Sequence, residues 1–157
     1  MAYGARYVGT TDGKSNALTQ AFIVKSGVTV TAKDFVYIVD DEGVVSSASI
    51  AGARLLGVAK STVVGDGSAT VLVITEPNAL YLVDNDNDSE TFAVTHVGRL
   101  FDLTGATGVQ QVDTSAESQT GAQLFCHEYN PQIDPYKTDT SIGLYSIAEH
   151  AFQSTDA

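Results

Sequence analysis

Phe35-Val36-Tyr37-Ile38-Val39-Asp40-Asp41-Glu42-Gly43-Val44-Val45 is the stretch that decides how this chain is read. Its first five residues are all β-branched or aromatic, with no helical period, and an acidic cluster ending in glycine stops them abruptly. The apolar pair Val44-Val45 then resumes, so residues 35–46 are expected to form a hairpin with an acidic turn. The same pattern of short apolar runs and turn residues extends in both directions.

Upstream, Phe22-Ile23-Val24 and Val28-Thr29-Val30-Thr31 flank Ser26-Gly27. Downstream comes Leu55-Leu56-Gly57-Val58-Ala59, whose glycine marks a bulge or a place of close packing. Gly65-Asp66-Gly67 separates Thr62-Val63-Val64 from Val71-Leu72-Val73-Ile74, an apolar run expected to be buried on both faces. Pro77-Asn78 breaks the chain before Leu80-Tyr81-Leu82-Val83. A further strand is expected to carry Phe92, Val94 and His96 on one face and Thr91 and Thr95 on the other. Leu100-Phe101-Asp102-Leu103 and Leu124-Phe125-Cys126 follow. Ile142 to Ala148 is read as a strand rather than a short helix, because Tyr145 and Ile147 suit a strand and Gly143 weakens a helix.

Strands at this spacing are the pattern of a small barrel or sandwich, and no amphipathic stretch supplies the crossover helices of a parallel sheet. The expected fold is therefore all-β. A barrel or sandwich domain is placed at 21–128, with an extended N-terminal arm at 1–20 and a C-terminal extension at 129–157. Tyr37-Ile38-Val39-Asp40-Asp41 is echoed by Tyr81-Leu82-Val83-Asp84-Asn85, but five positions are too few to define a repeat.

Charge narrows the function classes. With 8 basic against 19 acidic residues the net charge is -11, which repels phosphate backbones and anionic lipid, so neither nucleic acid nor a membrane is expected as partner. No apolar run approaches the length of a membrane span. The first residues lack the apolar core of a signal peptide. Cys126 is the sole cysteine and cannot form an internal disulfide, which fits a reducing compartment.

No set of residues assembles into catalytic chemistry. Cys126 and His127 are adjacent on a strand and so face opposite ways, which prevents a thiol–imidazole pair. One cysteine and the scattered His96, His127 and His150 do not make a zinc site. There is no G-x-S-x-G, P-loop, Rossmann glycine pattern or H-E-x-x-H. The Arg-Ser-Ser-Gly-type phosphate motif of the similarly sized dUTPases is missing. The pair Asp40-Asp41 remains as a weak glycosidase motif, without any tryptophan platform for a sugar. Asp84, Asp86 and Asp88 occupy the first, third and fifth places of a calcium-type loop. Ser89 stands where glycine is required and Thr95 where a bidentate glutamate belongs, so an EF-hand is excluded and only a looser cation site is left. No cofactor is expected, and the metal reading rests on those three aspartates alone. Tyr3, Tyr7, Tyr129, Tyr136 and Tyr145 lie towards the two ends, and as large amphipathic side chains they are the candidate partner-binding residues.

The order Gly27-Val28-Thr29-Val30, Asp34-Phe35-Val36-Tyr37, Leu55-Leu56-Gly57-Val58-Ala59 and Gly67-Ser68-Ala69-Thr70-Val71-Leu72-Val73 resembles that of small tailed-phage head proteins, the capsid decoration (cement, or head-stabilising) proteins. Gly98-Arg99-Leu100-Phe101-Asp102-Leu103, Val112-Asp113 and Leu124-Phe125 look like their second half, so the similarity covers roughly 25–130. It lies in hydrophobicity and turns and transfers no single residue. It implies a compact β-barrel, a homotrimer, and attachment to the major capsid protein on the outer surface of an icosahedral shell, after synthesis in the host cytoplasm. The major coat protein itself is not expected, since that fold needs a longer chain with a spine helix. A carbohydrate- or cation-dependent binding module of a phage tail or fibre is the alternative, resting on the aspartate loop and the tyrosines. A hydrolase built on Asp40 and Asp41 is the third.

Overall fold

The computed structural model describes residues 3–13, 16–39, 42–46, 54–86, 93–118, 122–129, 142–148 and 150 of the 157-residue chain. They form thirteen strands: β1 (Arg6–Thr10), β2 (Thr19–Ile23), β3 (Thr29–Val30), β4 (Phe35–Val39), β5 (Gly43–Ser46), β6 (Gly57–Ala59), β7 (Val63–Val64), β8 (Thr70–Ile74), β9 (Ala79–Asp84), β10 (Leu100–Thr104), β11 (Gln111–Ser118), β12 (Leu124–Tyr129) and β13 (Ile142–Ile147). The protein is all-β, and the named strands pair antiparallel throughout.

Two sheets carry the structure. A six-stranded sheet runs β1-β9-β13-β12-β10-β11, a five-stranded sheet runs β2-β8-β6-β4-β5, and β3 and β7 form a small third ribbon. The deciding hairpin lies in the five-stranded sheet, with Val36 opposite Ser46 and Val39 opposite Gly43. Its turn residues Asp40 and Asp41 lie outside the described residues, so the acidic-pair reading rests on sequence alone.

The faces of the five-stranded sheet do different work. Phe35, Val58 and Ile74 project toward the six-stranded sheet and pack with Tyr81, Phe101, Leu124 and Tyr145. Val36, Ala59, Val71 and Val73 project the other way and pack with Val24, Val30 and Val44. The sheet is thus an inner layer over most of its area, which is why its strands read as unbroken apolar runs. The run 71–74 departs from this expectation, because Leu72 is 50% exposed. It faces the same side as Ile74, but beyond the part of the sheet that the six-stranded layer covers.

Gly57 sits where β6 presses against β8. A Cβ there would lie 1.7 Å from the Ile74 carbonyl oxygen, so the Gly-Val-Ala segment needs a glycine for close approach.

One expectation is corrected. Residues 94–96 form a 3₁₀ turn rather than a strand. The ring Nδ1 of His96 accepts a hydrogen bond from the Ala93 amide at 2.9 Å, which closes the turn locally, and Gly98 at φ 84° redirects the chain into β10. Phe92 lies outside the described residues. Within the expected arm, residues 6–10 are β1, an edge strand paired to β9. Within the expected extension, β13 sits inside the six-stranded sheet between β9 and β12. An apolar strand in that slot satisfies the backbone of both neighbours and buries Ile142, Leu144, Tyr145 and Ile147, which a solvated extension would leave in water.

Buried tyrosines give a paired test of the core. Tyr145 is fully buried and its hydroxyl donates to Asn85 Oδ1 at 2.5 Å. Tyr81 is equally buried, between Tyr7 and Phe35 in edge-to-face contacts, but its hydroxyl has no hydrogen-bond partner among the described residues. Tyr145→Phe removes the buried hydrogen bond to Asn85 Oδ1 and is expected to cost about 1–3 kcal/mol. Tyr81→Phe removes an unsatisfied hydroxyl and is expected to be neutral or stabilising by up to about 1 kcal/mol. Urea titrations of both variants check the ranking, and an equal loss in the two would contradict it.

Candidate functional site

The sequence candidates separate in the fold. Tyr3 is exposed, whereas Tyr7 is half-buried and packs edge-to-face on Tyr81 at 6.2 Å. Tyr129 ends β12, with its side chain outside the described residues, and Tyr136 is outside them altogether. Tyr145 is a correction. It lies in the core with no exposed surface, because the strand that bears it is internal to a sheet, and it cannot serve as a contact for a partner.

The aspartate loop is also corrected in part. Asp84 is 1% exposed and paired with Arg6, Nη2 to Oδ1 at 2.9 Å. Asp86 turns to β11, where its Oδ1 accepts from the Thr114 amide at 3.1 Å and the Thr114 hydroxyl at 2.9 Å. The first two carboxylates are therefore committed to holding β1 and β11 rather than converging on a cation, and Asp88 lies outside the described residues. Among the described residues there is no group of three or more His, Cys, Asp and Glu that could hold a metal.

Cys126 and His127 do face opposite ways. The thiol is buried in the core and burial pushes it up to about 11, so it is a poor nucleophile. The His127 ring instead stacks on Phe125 and shares a 2.8 Å hydrogen bond with the Ser146 hydroxyl.

His150, fully buried, returns the chain to the five-stranded layer through a bridge to Leu55, with Arg54 Nη2 donating to its carbonyl at 2.7 Å. Burial lowers the imidazoles of both His150 and His127 below the usual histidine range. As the pH falls, the unfolded chain takes up these protons before the folded one does. Their contribution to stability is therefore complete above about pH 6.5 and is lost on acidification through that value. The melting temperature is expected to fall between about pH 8 and pH 5, and the fall should shrink in a His150→Gln variant. A melting temperature independent of pH across that window would contradict the burial of both rings.

Sequence reading missed the polar groups that join the layers. Asp34, 1% exposed, accepts from the Thr31 amide at 2.9 Å, the Thr107 hydroxyl at 2.5 Å and the Gly108 amide at 2.9 Å. Gln110 is fully buried and mimics a strand partner for Phe35, accepting from its amide at 2.7 Å and donating to its carbonyl at 3.2 Å. A charged residue abutting a wholly apolar strand, as Asp34 abuts Phe35, was the available signal.

The same 31–34 turn borders a groove. Lys33 adopts φ 76°, its carbonyl accepts from the Ala5 amide at 2.9 Å, and its amide donates to the Ala59 carbonyl at 2.8 Å. Beside it, between β1 and the Val58–Ile74 end of the five-stranded sheet, run two adjoining clefts of about 330 and 540 Å³ that share Tyr7, Lys60 and Ile74. The smaller cleft is largely apolar and carries the Lys33 and Lys60 side chains at its border.

No protein-family model and no curated protein sequence matches the chain.

Proposed function

We propose that the protein is a structural virion protein that decorates and stabilises an icosahedral phage capsid by binding the major coat protein on the outer surface, as a homotrimer. The observation that supports it is the order of strands and turns from Gly27 to Val83, the stretch that resembles decoration proteins. In this chain that order has a physical basis. Gly57 of the Gly-Val-Ala segment and Gly65 of the following turn both sit where a side chain would strike backbone, with carbonyl oxygens 1.7 and 1.9 Å from the position of a Cβ. The cadence is therefore a packing rule for a rigid inner sheet and not a run of composition.

The acidic surface agrees with this reading. A protein carrying -11 stays soluble before assembly, and it suits the exterior of a shell better than a wall facing packaged DNA. Repeated docking on a lattice lets individually weak contacts act together. The tail or fibre alternative loses its main support with Asp84 and Asp86 committed to Arg6 and Thr114.

Light scattering on the purified protein tests the assembly, with a mass near three times 16.5 kDa expected. Co-sedimentation with assembled capsids tests the attachment. A monomer that sediments with no capsid would overturn the proposal.

A further inference from the structure

We propose that the groove beside β1 is a docking site for an extended, acidic strand of another protein, which adds to the free edge of β1 and completes the six-stranded sheet over the uncovered face of its neighbour. β1 is an edge strand, paired only to β9 among the described residues. Arg6 and Tyr7 of β1 border a cleft whose opposite wall is Val58, Lys60 and Ile74 of the five-stranded sheet.

The register defines what lies there. Val58 is opposite Ile74, and this row is covered by the core. One step along, the Lys60 amide donates to the Leu72 carbonyl and Leu72 is opposite Ala21, so Lys60, Leu72 and Ala21 form a row facing the same way. Beyond them Ile23 is opposite Thr70. Every residue of these two outer rows is exposed, with Leu72 at 50% and Ile23 at 47%. An aliphatic shelf thus continues the covered core past the edge of the layer that should cover it. One more strand beside β1 would cover it, while its backbone took up the unpaired groups of β1.

Charge selects the occupant. Lys33 and Lys60 line the groove, both are exposed, and neither forms an ion pair with a described residue. By contrast Arg6 is bound to Asp84 and Lys25 to Glu42. Two ammonium groups with no ion pair to a described residue thus stand along one groove. Pairing of β1 with β1 of a second copy would bring both lysines against their own duplicates, which disfavours self-association through this edge. An extended segment bearing both apolar and carboxylate side chains can set the former on Leu72 and Ile23 and the latter against Lys60 and Lys33. Lys33 is also held at φ 76°, a costly conformation for a non-glycine residue, which fixes the backbone at the entrance of the groove. The shelf does not depend on the capsid reading, since its register and charge are the same whatever the partner.

Fluorescence anisotropy with two labelled peptides, one alternating valine and glutamate and one alternating valine and lysine, tests the proposal on the full chain. The glutamate peptide is expected to bind at least about tenfold more tightly, and a Lys33→Glu/Lys60→Glu variant to reverse the order. Both lysines are exposed, so the variant should fold, and circular dichroism checks this. Bound glutamate peptide should also slow hydrogen exchange at β1 amides, which a merely electrostatic surface contact would not do. Equal affinity for the two peptides, no binding, or binding without protection of β1 would each overturn the proposal. So would concentration-dependent self-association that excludes the peptide.

Discussion

Replacing Gly57 with alanine is expected to abolish stable folding, or to lower stability by at least about 4 kcal/mol, at the far end of single-substitution effects. The added Cβ would lie 1.7 Å from the Ile74 carbonyl oxygen and 2.8 Å from its carbon. Neither strand can yield. β6 is held on one side by β4 and on the other by β8, and the side chains around Gly57 are packed on both faces of the sheet. Relief requires the two strands to part, which breaks the ladder and opens both cores together. Gly13→Ala is the matched control. That residue also has a positive φ, 75°, but nothing lies within 4 Å of the added carbon. It should cost only the conformational penalty of about 1–2 kcal/mol. Urea unfolding of the two variants separates the effects. A Gly57→Ala protein with a native midpoint would show that β6 and β8 do not pair in the register described.

Asp34→Ala is expected to cost about 2–4 kcal/mol, from the loss of three hydrogen bonds to a buried carboxylate. Its carboxylate accepts three hydrogen bonds, two from the 107–108 turn and one from its own turn at Thr31. The part-buried backbone amides of Thr31 and Gly108 would lose their acceptor. Asp34→Asn keeps one acceptor oxygen but turns an amide toward donors, so an intermediate loss is expected. Thr107→Val removes a single donor and leaves the two backbone bonds, and about 1 kcal/mol is expected. The order Ala, Asn, then the Thr107 variant, read from denaturation midpoints, is the check. An Asp34→Ala loss no larger than that of Thr107→Val would mean that the turns are held by packing alone.

Much of the body was legible because strand formation in this chain is local. The alternation from Phe35 to Val45 and the Gly65-Asp66-Gly67 turn announce themselves in a few residues. Asp66 illustrates it, accepting from the Ser68 and Ala69 amides with one oxygen at 2.8 and 2.7 Å, an interaction contained within four consecutive positions. His96 shows where such reading fails. Val94 and His96 have the spacing of a strand face, but a ring nitrogen that accepts from the Ala93 amide turns the segment into a 3₁₀ turn.

The candidate site was less legible. Asp84 looks like a cation ligand in sequence, and becomes a partner of Arg6 only because β1 and β9 are brought side by side across 78 residues. Tyr145 looked available because it lies near the end of the chain, and is buried because β13 enters the middle of a sheet. Exposure is a property of neighbours, and these neighbours are distant in sequence.

By itself, then, the sequence determined the all-β class, the places of most strands and turns, and the acidic character of the chain. These follow from backbone sterics, side-chain branching and summed charge, each of which acts over a few residues or over none. The tertiary structure alone decided which strands are edges, which aspartates are spent on internal bonds, and that Leu72, in a run apolar throughout, faces water opposite Lys60. Those outcomes depend on which segments meet, and a sheet's pairing order joins residues that no local pattern connects.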